Sequence, residues 1–252
     1  MERETKIKII GTGIFIVLVL GIGYLVYYSN EIKEDLIIES IGISGNNLLS
    51  ENDYLSFTKL GDIVNENRLT LQVIRSRFEK HPYIHKADVK FINETEVQVF
   101  LTEKKIYGVI INNNEALFVA EKFQVLPVFT NTKMIDIPIL SNISESIEFK
   151  TLKTINNSDL LQAFKIIDAA GLTNANILNE LAEINLRNGG DVVLTFSGLS
   201  VPVIFGRNYE ACKMVTLEAL INNYLVSNTE NDYIDLRFYN DIFIGHTQRA
   251  EL

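Results

Sequence analysis

The side chains able to do chemistry are few and poorly assembled. Three histidines, His81, His85 and His246, are the whole imidazole supply of the 252 residues. A spacing of four puts His81 and His85 on one face of a helix, as a shared metal would need. Pro82 stands between them and breaks such a helix. With no third ligand nearby in sequence, both are expected to be solvated loop residues, and no metal or cofactor is expected. The single cysteine, Cys212, excludes an intrachain disulfide and a Cys-based zinc cluster. It lies in an expected helix, where a buried thiol is ordinary filler. Ser197 and Ser200 in "FSGLS" lack the G-x-S-x-G frame of a nucleophile elbow. The glycine pairs of "GTGIFIVLVLGIG" fall inside an apolar run, so neither a phosphate loop nor a dinucleotide fingerprint applies. Carboxylates are plentiful, but no spacing singles out an acid/base pair. No catalytic role and no small-molecule substrate are expected.

Recognition is the better-supported chemistry, and it concentrates near the C-terminus. "YIDLRFYNDIFIGH", Tyr233 to His246, reads as one strand. Ile234, Leu236 and Phe238 share one face, expected to enter the core, and Tyr233, Asp235, Arg237 and Tyr239 share the other. At a sheet edge, such a strand offers free N–H and C=O groups to another chain. Arg237 would then pair with a partner carboxylate, and Tyr239 or Phe243 would anchor an apolar residue. In an internal strand, Asp235 and Arg237 would instead pair locally. Periodicity leaves both arrangements open. Phe100, also on the polar face of its strand, is expected to be covered by a neighbouring element.

The elements that must position this stretch begin with a hydrophobic run. "IIGTGIFIVLVLGIGYLVYY", Ile9 to Tyr28, holds no charge and is long enough to cross a bilayer as a helix. Arg3, Lys6 and Lys8 precede it, and Glu31, Glu34 and Asp35 follow against Lys33 alone. That asymmetry predicts a cytoplasmic N-terminus, with the remainder outside. No small-residue cleavage pattern follows, so an uncleaved anchor is expected. Beyond the anchor stand twenty basic and thirty acidic side chains, a balance unsuited to nucleic acid and to anionic lipid.

The exterior part reads as an α+β protein in two sections. In the first, "DLIIESIGIS" is strand-like. Ser50 with Asp53 forms a capping-box variant before one helix, Leu71, Ile74 and Phe78 mark the face of a second, and His81-Pro82 ends it. "YIHKADVKFI" and "TEVQVFLTEKK" follow as strands around an Asn93-Glu94 turn. The order is β-α-α-β-β. In the second section "IYGVII", "ALFVA", "QVLPVF" and "DIPIL" are short strands. A helix runs from a Ser158 cap to a Gly171 stop with Leu161, Phe164 and Ile167 inward. "LAEINLRNGGDVVLTFSGLSVPVIFG" supplies three strands. A last helix, "YEACKMVTLEALINNYL", carries Met214, Leu217, Leu220, Ile221 and Tyr224 inward. This section is expected to be mostly antiparallel β with two or more helices.

The first section resembles a POTRA domain, with Pro82, Tyr83, Ile84, Ala87, Val89 and Glu103 in that family's characteristic places. The whole chain resembles the bacterial cell-division family FtsQ, called DivIB in Gram-positive bacteria. "LFVAEKFQVLPVF", "IPIL", "VPVIFGR" and above all "YIDLRFYNDIFIG" carry the likeness, although Lys122-Phe123 replace the family's usual Asp-x-x-Gly.

The resemblance implies a cytoplasmic leader (1–8), a transmembrane anchor (9–28), a POTRA-like domain (35–104), an FtsQ-like β domain (105–246) and a short tail (247–252). It implies a non-enzymatic scaffold in the inner membrane, concentrated at the division septum. Upstream division proteins would meet the POTRA domain, and an FtsB/FtsL-like pair would meet the β domain by strand addition at its last strand. Partner-binding residues would be Tyr233, Arg237, Phe238, Tyr239, Asn240, Asp241, Phe243 and His246. A POTRA-bearing component of protein export is the competing reading, but it would carry several such repeats or a barrel.

Overall fold

The computed structural model describes residues 12–25, 38–61, 69–144, 148–222, 232–238 and 241–245. Residues 12–25 form a helix, α1, whose apolar side chains are all exposed. Among the described residues no helix is long and apolar enough to cross a membrane. The fourteen described residues of α1 rise about 21 Å, against a hydrocarbon core of about 30 Å. The rest of the Ile9–Tyr28 run, like Leu36 and Tyr224, lies outside the described residues.

The fold is mixed α+β, built on two sheets. The smaller has three strands, β1 (Ser40–Ser44), β2 (Ile84–Phe91) and β3 (Glu96–Glu103), in the order β1-β3-β2. β1 runs parallel to β3, and β2 antiparallel to it. Alternation in β3 is strict: Val97 and Val99 are fully buried, whereas Phe100, expected to be covered by a neighbouring element, is 48% exposed on the opposite face. Two helices, α2 (Glu51–Thr58) and α3 (Leu71–Glu79), cover the apolar face with Tyr54, Ile74 and Phe78. Ser50 caps α2 in a full capping box with Asp53, the arrangement its spacing predicts. The Asn93 turn also forms, its Oδ1 accepting from the Thr95 and Glu96 amides at 3.0 and 2.8 Å. Glu103 ends β3 by binding the Asn47 and Leu48 amides at 2.9 and 3.0 Å and the Tyr54 hydroxyl at 2.5 Å.

The larger sheet comprises β4 (Ile106–Asn112), β5 (Glu115–Ala120), β6 (Gln124–Pro127), β7 (Ile139–Ser141), β8 (Leu181–Asn185), β9 (Val193–Phe196), β10 (Val203–Ile204), β11 (Tyr233–Asp235) and β12 (Phe243–Gly245). Its order is β12-β11-β10-β9-β8-β7-β4-β5-β6. Antiparallel pairing dominates as expected, at five of the eight junctions, and three are parallel: β4 with β7, β7 with β8, and β10 with β11. Each follows a connection too long for a hairpin, and the last two run through helices. The helices are α4 (Ser158–Thr173), α5 (Ala175–Glu180) and α6 (Glu210–Leu220).

Helix α4 lies on the sheet through Leu160, Ala163, Phe164, Ile167 and Ala170. Leu161, expected inward, is 47% exposed, because the buried stripe follows positions 160, 163, 164 and 167 at helical spacing. Asn157, rather than Ser158, caps α4, accepting from the Asp159 and Leu160 amides. The helix passes Gly171 and stops where Asn174 caps α5. On α6, Met214 and Leu217 are buried, while Leu220 and Ile221 are partly so. Cys212, expected to be filler, is exposed on the opposite side.

The two sheets share one core at their junction. In β5, Leu117 and Val119 face α4, whereas Phe118 and Ala120 join the cluster of the smaller sheet. This explains why "ALFVA" reads as a continuous apolar run: the strand is buried on both faces. Tyr83 is the hub. Its hydroxyl donates to Pro127 O at 2.9 Å, lies 2.9 Å from the Thr132 hydroxyl and accepts from the Phe129 amide at 3.2 Å. His81, expected to be a solvated loop residue, is 2% exposed and ringed by Tyr54, Phe57, Tyr83 and Phe129. Its Nδ1 accepts the Tyr83 amide at 3.1 Å. Burial, with the Lys104 charge, pushes it down to about 4. His85 stays at the surface, 2.8 Å from Glu121.

Candidate interaction site at the terminal hairpin

The closing stretch is two short strands rather than one long one. β11 and β12 form an antiparallel hairpin with Tyr233 opposite Gly245, Ile234 opposite Ile244 and Asp235 opposite Phe243. Continuous apolar-polar alternation concealed the break. No glycine or proline stands between the two strands in the sequence to mark it. The glycine at 245 has its own reason: a Cβ there would meet the Tyr233 ring at 2.1 Å. The ring therefore packs over the bare backbone of its cross-strand partner.

β11 is anchored from below as its period predicts, with Ile234 and Leu236 buried against the large core. Phe238 departs from that set. Expected inward, it is 51% exposed, because the strand ends at Asp235 and the alternation lapses. Phe243 is likewise 51% exposed, and the two rings meet edge to face, 4.9 Å between centroids. Such a pair contributes about 0.5–1.5 kcal/mol beyond its area and presents a joined aromatic surface with Ile242, also exposed.

The charges beside the rings are organised within the chain. Asp235 is 4% exposed, not on an open face. The Arg237 guanidinium forks onto it, Nη2 to Oδ2 at 2.6 Å and Nε to Oδ1 at 3.0 Å, and Nη1 reaches Asp191 at 2.9 Å. Burial pushes the Asp235 carboxyl up, but the Arg237 side chain and amide outweigh that and hold it below the ordinary range. Asp235, followed by Asp191, raises the Arg237 guanidinium further above its already high value. Local pairing, one of the two arrangements the periodicity left open, is thus realised.

Arg237 also lies against the backbone of Gly206, where a Cβ would meet its Cγ at 2.9 Å and φ is +66°. Only glycine fits that approach and that conformation together. Lys213, buried on α6, donates to Phe205 O at 2.9 Å and to Arg207 O at 3.3 Å. Burial lowers its pKa, with Glu210, Asp191 and Asp235 opposing. Arg207 in turn grips the fully buried Asp159 at 2.6 Å. Burial raises the Asp159 carboxyl, yet the Ser144 and Arg207 hydrogen bonds bring it net below its ordinary value. The loop before α6 is therefore clamped between α4 and the terminal hairpin.

Tyr233, Arg237, Phe238, Asp241 and Phe243 come together on this hairpin, with Tyr233 half-buried and Arg237, Phe238, Asp241 and Phe243 exposed. Tyr239, Asn240 and His246 lie outside the described residues. The sequence reading missed Asp191 and Lys213. Asp191 is 46 residues from Arg237 and carried no local signal. Lys213 did carry one, as a charge on the same helical stripe as the buried Leu217.

The two edges of the large sheet are treated differently. At β6, residues 152–155 run alongside the strand: the Val125 amide donates to Lys153 O at 2.9 Å, the Leu152 amide to Val125 O at 2.7 Å, and Gln124 bridges Thr154. At β12, no further strand follows among the described residues. Nor, among them, does any group of His, Cys, Asp and Glu gather to hold a metal. No model of a known protein family matches the chain, and no curated protein matches it.

Proposed function

We propose that this protein is a membrane-anchored, non-enzymatic scaffold of the bacterial division machinery, of the FtsQ/DivIB kind. Its terminal hairpin would accept an FtsB-like partner by strand addition at β12. The single observation that carries the reading is the contrast, among the described residues, between the two edges of the large sheet, one dressed by the chain itself and the other ending in three residues beside exposed aromatic rings. An edge of this kind gives main-chain affinity, and neighbouring side chains give selection. The β-α-α-β-β order of the smaller unit and the apolar run at 9–28 are consistent with a POTRA-like domain beside an inner-membrane anchor. Upstream division proteins would meet that smaller unit outside the cytoplasm.

Depletion of the protein in its own host should yield filaments lacking completed septa, with the fluorescently tagged chain at midcell before depletion. Cells that divide normally after depletion would refute the division reading.

A further inference from the structure

The turn joining β2 to β3 carries exposed apolar side chains among the described residues. Ile92 is 60% exposed and Phe91 36%. The turn itself is well determined: the Ile92 amide donates to Glu96 O at 2.9 Å, and Asn93 Oδ1 takes the next two free amides. A turn fixed in this way does not fold Ile92 inward.

Its place in the chain is informative. The Glu39 amide donates to Thr95 O at 2.8 Å, so the turn lies beside the start of β1, where the chain arrives from α1. Twelve residues separate Leu25 from Ile38, a reach of at most about 45 Å. Helix α1 is apolar on every side, the pattern of a helix meant for a hydrocarbon surround. Around the turn, exposed Lys90 is offset by Asp88 at 3.0 Å, and the exposed Glu39 and Glu94 leave the surroundings net acidic. That balance disfavours anionic headgroups and leaves a zwitterionic surface as the compatible one.

We propose that the β2–β3 turn is a second, shallow membrane contact, in which Ile92 and Phe91 enter the headgroup boundary of a zwitterionic bilayer beside the anchor. The proposal rests on the anchor reading of residues 9–28. Two side chains would bind a free protein only marginally, but the anchor holds them close to the surface and makes the second contact effectively intramolecular. The contact would set the tilt of the smaller unit on the membrane.

The test uses the full chain in phosphatidylcholine vesicles. Ile92→Cys, in a Cys212→Ser background, is labelled with an environment-sensitive fluorophore and challenged with lipids carrying a quencher near the headgroup. The comparator is the wild-type chain labelled at Cys212, exposed on α6. Position 92 should show a blue shift and quenching consistent with a depth of about 5–10 Å, and position 212 neither. A chain that floats with the vesicles while its position-92 label stays unquenched overturns this inference alone. A chain that fails to float overturns the anchor reading and this inference with it. Equal quenching at both positions contradicts a contact confined to the turn.

Discussion

Arg237 closes a fork on Asp235, two residues before it, and spends its remaining terminal nitrogen on Asp191 from another part of the sheet. The most obvious interface residue is therefore also a structural one. Arg237→Glu sets a third carboxylate against two, one of them buried, and should lower the melting temperature. Arg237→Lys, which keeps one charge but not the fork, should fall between it and wild type. Loss of partner capture by Arg237→Glu would not by itself report on an interface. Thermal denaturation of the three proteins checks this ordering, and equal melting temperatures would mean that Lys213 alone satisfies Asp235.

The Arg207–Asp159 pair should dominate the ionic contribution to stability. Arg207→Ala strands a fully buried carboxylate and should cost about 3 kcal/mol. Lys105→Ala breaks a pair of similar length, 2.8 Å to Asp168, between half-exposed partners, and should cost no more than about 0.5 kcal/mol. Urea denaturation of both variants measures the difference.

Acid should destabilise the fold first through His81. Its folded value, about 4, is depressed below the unfolded one near 6.5. Above about pH 6.5 the ring is neutral in both states and there is no penalty. As pH falls from 6.5 to 4, the unfolded chain takes a proton that the native ring refuses, and stability drops by about 3 kcal/mol. His81→Phe should flatten the pH dependence of unfolding free energy across that window.

Tyr83→Phe should loosen the joint between the two sheets. It deletes one hydroxyl that serves the part-buried Pro127 O, Thr132 and Phe129 amide, a loss of about 1 kcal/mol. Amide exchange should quicken on the loop after β6 more than in α4.

The parts legible in the sequence were those with one dominant local signal. The Ser50–Asp53 box, the Asn93 turn and the alternation of β3 depend on neighbours a few residues apart, and they stand where spacing placed them. What was illegible depended on distant residues. The cage around His81 draws on Phe129, 48 positions away, so a histidine beside a proline looked like a loop residue. Asn174 outcompeted Gly171 as a helix stop because its side chain caps a following helix. The terminal hairpin was hidden by its own regular period, and Phe238 and Asp235 exchanged their expected faces where that period broke.

The central claim, an open edge at β12 that receives a second chain, is tested most directly by amide hydrogen exchange. The full-length chain would be held in nanodiscs, with and without the extracytoplasmic segment of an FtsB-like protein from the same host. The account predicts new protection at Ile244, whose amide points away from β11 while Phe243 and Gly245 already face it. Phe243→Asp should abolish that protection, lowering the melting temperature only by the small contribution of its ring pair with Phe238. Binding without protection at the Ile244 amide, or protection confined to the smaller sheet, would contradict it.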